Sequence, residues 1–95
     1  MFADCCAVDQ LCDRCLNAML AHLRGVAANR GERWAGELAL QRRAPWTPWP
    51  LDSAKVREHA IRRVSDLSRD VRLRERLADE AVRYAARRWD EARPV

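Results

Sequence analysis

Hydrophobic residues in the first third of the chain recur every three or four positions, which is the spacing of one face of an α-helix. The pattern predicts a helix over residues 5–28, with Asn29, Arg30 and Gly31 ending it. Three thiols and an imidazole share the predicted face with apolar residues. The face consists of Cys5, Val8, Cys12, Cys15, Met19, His22 and Val26. Such a stripe is either a packing seam or a site.

A second, shorter helix is predicted over residues 32–43, with Trp34 and Leu38 on one side. The three prolines that follow exclude a regular helix in the next segment. Trp46 and Trp49 lie among these prolines. Their rings either fold back onto the helices as a hydrophobic lid or form, with the prolines, a docking strap for a partner.

Two more helices are predicted, one from Asp52 or Ser53 to Ser68 and one over residues 71–92 with Asp70 as its N-cap. The predicted inner faces are Val56, Ala60, Ile61, Val64 and Leu67, and then Leu73, Leu77, Ala81, Tyr84 or Ala85, and Trp89. The junction between them is either a tight turn, which gives a compact bundle, or a slight kink in one long helix, whose apolar face a second subunit would cover.

The predicted fold is therefore all-α, a small bundle of about four helical segments in one domain spanning residues 1–95. Its parts are a cysteine-bearing half (1–43), a Pro/Trp-rich connector (44–51) and an arginine-rich helical pair (52–95). Hydrophobic residues make up 48% of the chain, but many are alanines that bury little area, so the core is thin. A partner chain or a metal would suit such a core.

The formal net charge is +4, and the excess positive charge lies in residues 51–95. No apolar run approaches the about 20 residues that span a bilayer, and the N-terminus lacks the features of a signal peptide. These features predict a cytoplasmic protein with no membrane partner. In that reducing compartment the cysteines are expected to be thiols or metal ligands rather than a disulfide framework.

The cysteines form the candidate metal site, and zinc is the candidate cofactor. Cys12 and Cys15 have the Cys-x-x-Cys spacing with which two thiolates reach one zinc ion, and Cys5 and Cys6 would supply the other half. Three alternatives stay open. The thiols could fill the core as small hydrophobes, form a disulfide or an intersubunit seam, or act in redox chemistry.

Arginines on the last two predicted helices form the candidate binding face, and their guanidinium groups suit carboxylates or phosphates. Asp79 and Glu80 lie within one turn of Arg83 and Arg76 and can pair with them. The candidate contact residues for a protein or nucleic-acid partner are Arg62, Arg63, Arg69, Arg72, Arg76, Arg83, Arg87, Trp46 and Trp49.

We expect a non-enzymatic protein-interaction or assembly module with a basic outer face, because His22 and His59 have no catalytic partner at a recognisable spacing. Its partner would be another protein or a second copy of the chain, as a homodimer. The alternative is a small nucleic-acid-binding regulator of the helix-turn-helix kind whose cysteines hold zinc. Residues 51–95 contain neither Asn nor Gln to read bases, which weakens that alternative.

Overall fold

The computed structural model describes residues 6–41, 45–49 and 54–94, and within these ranges the chain is helical with no β-strand. The predicted all-α class is confirmed. The helices are α1 (Asp13–Gln41), α2 (Ala54–Val64) and α3 (Val71–Glu91). The described residues thus form three helices where the sequence predicted about four segments, because the two helices predicted before the connector are one.

The start of α1 differs from the prediction. Residues 6–12 are not helical, and a turn closed by the Gln10 N–H donating to the Ala7 carbonyl (3.1 Å) lies among them. Residues 6–12 therefore do not continue the helical face of α1. The predicted stripe is also wrong at its other end, because His22 and Val26 are exposed. The buried face of α1 consists of Cys15, Leu16, Leu20, Ala27, Gly31, Trp34 and Ala35.

Gly31, where the sequence predicted a helix end, lies inside α1, and its contact with α3 explains why a glycine occupies this position. The residue is buried at a close approach between α1 and α3, and a Cβ atom there would lie 2.0 Å from the carbonyl oxygen of Ala81. Only glycine fits at that distance. Ala27 and Ala35 lie one turn before and after it and are fully buried, so a stripe of small residues lets the two helices pack closely.

The chain bends between α2 and α3, so the kinked single helix is excluded. α2 ends at Val64, about one turn before the predicted end at Ser68. Asp70 is the N-cap of α3, as predicted, because its Oδ1 accepts a hydrogen bond from the Leu73 N–H (3.0 Å). Most predicted inner positions of both helices are confirmed as buried. These are Ala60, Val64, Leu73, Leu77, Ala81 and Ala85.

α1 and α3 run in the same direction, since Leu11 and Asp70 meet before their first turns and Gly31 meets Ala81 further along. α2 runs antiparallel to α3, since Arg57 and Asp79, both distant from the turn that joins the two helices, form an ion pair. The molecule measures 52 × 21 × 18 Å, with Cys6, Cys12 and Cys15 at one end (the cysteine end) and Trp34, Trp46, Trp49 and Trp89 toward the other (the aromatic end). None of the described helices combines the length and apolar character that a bilayer crossing requires.

Candidate functional site

Three cysteine thiols lie together at the start of α1. Cys12 directly precedes the helix and Cys15 lies in its first turn, so their i, i+3 spacing places both thiols on one side. The turn between Ala7 and Gln10 brings Cys6 back toward them. The three Sγ atoms lie within 4.8 Å of one another. Cys6, Cys12 and Cys15, which we call the thiol cluster, can therefore hold one metal ion.

Burial differs within the thiol cluster. Cys15 is 6% exposed, Cys6 is half-buried and Cys12 is exposed. Core packing accounts for Cys15, whereas Cys12 lies outside the core. The fourth predicted ligand, Cys5, lies outside the described residues, and His22 is not a member of the cluster.

The backbone beside the thiol cluster is held by the start of α3. The Leu11 N–H donates to Asp70 Oδ2 (2.7 Å), and the Leu11 carbonyl accepts a hydrogen bond from the Arg72 guanidinium. Arg72 also pairs with Asp13 in the first turn of α1 (3.0 Å). The Leu11 side chain is itself buried, so both the backbone and the side chain of this residue fix the segment that precedes Cys12.

Asp70 therefore has two roles, capping α3 and anchoring the N-terminal segment. Burial acts to raise the pKa of its carboxyl group, but the Leu11 and Leu73 N–H groups and the charge of Arg72 favour the ionised form. The pKa of Asp70 is consequently held below its ordinary value. The sequence indicated the capping role, whereas the contact with Leu11 joins residues far apart in the chain and had no local signal.

An apolar cleft of about 390 Å³ borders the thiol cluster. Cys6, Val8 and Met19 line it on one side, and the turn between α2 and α3 lines it on the other. Because Cys6 faces this cleft and Cys12 is exposed, solvent and ions can reach the thiol cluster.

A second cleft, of about 290 Å³, opens at the aromatic end and is called here the aromatic cleft. Its walls are largely aromatic: the rings of Trp34 and Trp49 meet edge to face at 5.0 Å, and those of Trp49 and Trp89 at 5.8 Å. His59 stacks on Trp34 (6.0 Å). The remaining lining includes Leu38, Val56, Pro48 and Lys55.

Both connector tryptophans pack onto the helices, which agrees with the lid alternative. The Trp46 Nε1–H donates to the Trp89 carbonyl (3.2 Å), and the Trp89 Nε1–H donates to the Thr47 carbonyl (2.6 Å). Trp49 differs, because its buried Nε1–H has no hydrogen-bond acceptor among the described residues. The aromatic cleft thus contains one unsatisfied donor.

Four of the seven candidate arginines pair with carboxylates of the chain. The pairs are Arg63 with Glu37 (3.4 Å), Arg72 with Asp13 (3.0 Å), Arg83 with Glu80 (3.7 Å) and Arg87 with Glu91 (3.7 Å). Asp79, the predicted partner of Arg83, pairs instead with Arg57 of α2 (2.6 Å). Arg62, Arg69 and Arg76 are exposed. Carboxylates of the chain itself therefore neutralise part of the predicted basic face.

The sequence placed Trp34 and Trp89 on inner helix faces but not in a common site. Their meeting depends on how α1 and α3 cross at Gly31, and on the connector placing Trp49 between them. The stripe of Ala27, Gly31 and Ala35 was the only local signal of that crossing.

Comparison of the chain with protein-family models, with curated proteins and with solved structures finds no significant match. Conclusions about function therefore rest on the residues of this chain. The fold and its sites define a small all-α protein with a thiol cluster at one end and an aromatic cleft toward the other.

Proposed function

We propose that the chain is a non-enzymatic interaction module that binds a short apolar segment of another protein in the aromatic cleft. The composition of the cleft carries this proposal. Three of its lining residues are tryptophans, a residue type enriched among the side chains that dominate binding energy at protein interfaces. Leu38, which is 38% exposed, continues the apolar wall along α1.

The polar groups of the cleft indicate what accompanies the apolar side chain. Lys55 supplies a cation at the lining. The buried Trp49 N–H is unsatisfied among the described residues, and such a donor costs about 1–3 kcal/mol. Rotation of the Trp49 ring would present its N–H to a carbonyl or carboxylate oxygen of the occupant. We therefore expect an apolar or aromatic side chain next to an acidic residue.

The nucleic-acid alternative has weaker support. Arg62, Arg69 and Arg76 are exposed, but the other four candidate arginines pair with carboxylates of the chain. Binding to nucleic acid would weaken steeply with added salt, because it releases condensed counterions. Binding in the aromatic cleft would depend far less on salt.

A selection of displayed random peptides against the purified, immobilised chain tests the proposal. Leu38→Ser removes part of the cleft wall, and Leu40→Ser is its matched control, since Leu40 is 89% exposed on the same helix and does not line the cleft. Lys55→Glu reverses the cleft cation, and Arg76→Glu makes the same change on the outer face.

We expect the wild type and the two control variants to enrich the same acidic, apolar peptides. Loss of the Leu38 contact or of the Lys55 charge should weaken their affinity about 5- to 30-fold, the equivalent of about 1–2 kcal/mol. Peptides that bind all variants equally would refute the proposal. So would salt-sensitive binding of duplex DNA that Arg76→Glu abolishes while peptide selection yields nothing.

A further inference from the structure

We infer that Cys6, Cys12 and Cys15 hold a zinc ion that clamps the N-terminal segment onto the helices. This inference is independent of the aromatic cleft, which lies toward the other end of the molecule. It concerns the three described cysteines, and Cys5 remains a sequence-based prediction for the fourth coordination position.

The geometry of the thiol cluster is close to what a zinc ion requires. Zn–S bonds of about 2.3 Å in a tetrahedral site place the sulfur atoms about 3.8 Å apart. The three Sγ atoms lie within 4.8 Å of one another, so side-chain rotations that move them by about 1 Å complete the arrangement.

The electrostatics of the segment also favour a cation held by thiolates. Three thiolates this close together would repel one another, and a divalent cation bound between them offsets that repulsion. Cys12 and Cys15 lie at the N-terminal end of α1, where the free N–H groups of the first turn favour negative charge. A ligand set made only of thiolates selects soft or borderline ions such as zinc rather than magnesium or calcium.

The backbone around the ligands is already fixed. Asp70 and Arg72 bind the N–H and the carbonyl of Leu11, the residue before Cys12. The turn between Ala7 and Gln10 determines where Cys6 returns. A preformed site of this kind orders little chain on metal binding, and binding free energy that the unfolded chain lacks adds to the stability of the fold.

Burial separates this inference from simple core packing. A small hydrophobe in the core would be buried, yet Cys12 is exposed and Cys6 is half-buried. Binding of one metal ion by all three thiols would account for the position of Cys6 and Cys12 beside Cys15. It also suits a core in which six of the fourteen buried hydrophobic residues are alanine.

The test is native mass spectrometry of the full chain purified without chelator, with the mass measured again after denaturation. We expect one zinc ion per chain, released on unfolding, and a rise in melting temperature when zinc is returned to the chelator-treated protein. Cobalt added in place of zinc should give the charge-transfer absorption of thiolate ligands.

Cys12→Ser is the diagnostic variant, because Cys12 is exposed and its replacement leaves the core intact. Its zinc affinity should fall by more than about 100-fold, because losing a residue that only hydrogen-bonds to a metal ligand already costs about 10- to 100-fold. His22→Ala, also at an exposed position of α1, should bind zinc as the wild type does.

Four results would overturn the inference. One is a chain that takes up no zinc during titration, and another is a Cys12→Ser variant that binds zinc as tightly as the wild type. The third is a denatured mass lower by the hydrogens lost in a disulfide, and the fourth is a bound iron or copper ion in place of zinc.

Discussion

Gly31 is the residue on which the close contact of α1 with α3 depends. Replacing it with alanine would improve helix propensity by about 1 kcal/mol, but the added methyl group would meet the Ala81 carbonyl. We expect Gly31→Ala to lower the free energy of unfolding by about 1–3 kcal/mol, as overpacked cores do. Urea denaturation followed by circular dichroism measures it.

Gly25 provides the matched control, because a Cβ atom there would meet no other described part of the chain within 4 Å, apart from its own turns of helix. Gly25→Ala should raise the free energy of unfolding by up to about 1 kcal/mol. Equal stabilisation by both substitutions would mean that the two helices do not approach each other closely at Gly31.

Asp70 makes the stability of the fold depend on pH in a defined direction. Its pKa is lower in the folded protein than the unfolded value near 3.9, so its contribution is present above that value and is lost as the pH falls through the folded pKa. Asp70→Asn cannot take up this proton. Near pH 7 we expect the variant to be less stable than the wild type by about 1–3 kcal/mol, because asparagine has one oxygen where Asp70 has two and leaves either the Leu11 or the Leu73 N–H without an acceptor.

This difference in stability should shrink as the pH falls below about 4. Unfolding in urea at a series of pH values, with chelator present so that no metal contributes, gives the measurement. A difference that stays constant down to pH 2 would show that the charge of the Asp70 carboxylate does not contribute to the free energy of unfolding.

At the scale of elements, the N-terminal segment is attached to α3 through Arg72. Replacing this arginine with methionine removes the hydrogen bond to the Leu11 carbonyl and the ion pair with Asp13 but keeps an unbranched apolar chain. Hydrogen exchange of the backbone amides in residues 6–12 should become about tenfold faster, the equivalent of about 1.4 kcal/mol. Exchange in α2 should not change.

Arg76→Met is the control, since Arg76 is exposed on the same helix one turn further along. It should leave exchange in residues 6–12 as in the wild type. If Arg72→Met behaves like this control, the N-terminal segment is held by the Asp70 hydrogen bond and the burial of Leu11, without a contribution from Arg72.

Local patterns were enough to predict α2, α3 and their inner faces. Leu73, Leu77 and Ala81 follow helical spacing, and Asp70 marks the start of α3, so the information lies within a few residues of each position. The continuity of α1 could not be predicted this way. Glycine reads as a helix end unless the neighbouring helix is known, and here Ala81 of that helix lies against Gly31.

The two sites also differ in how far local sequence patterns could predict them. The Cys-x-x-Cys spacing indicated Cys12 and Cys15 directly, although the single helical stripe drawn through them was wrong. The aromatic cleft needs Trp34, Trp49 and Trp89 from three separate parts of the chain, and no local pattern gives the distance between them.

At the scale of the whole molecule, a long and narrow shape separates the two sites. The core between them is rich in alanine, and each alanine contributes little burial. Most ion pairs join exposed side chains and contribute about 0–1 kcal/mol each. Stability in such a molecule depends on specific contacts such as those of Gly31 and Asp70.

All four tryptophans of the chain belong to the aromatic end. Tryptophan fluorescence therefore reports on that end alone, and an event confined to the thiols should leave the tryptophan emission spectrum unaltered. A peptide that enters the cleft changes the surroundings of three indole rings at once. The emission spectrum of the unlabelled protein can thus distinguish a ligand bound in the aromatic cleft from one bound at the thiol cluster.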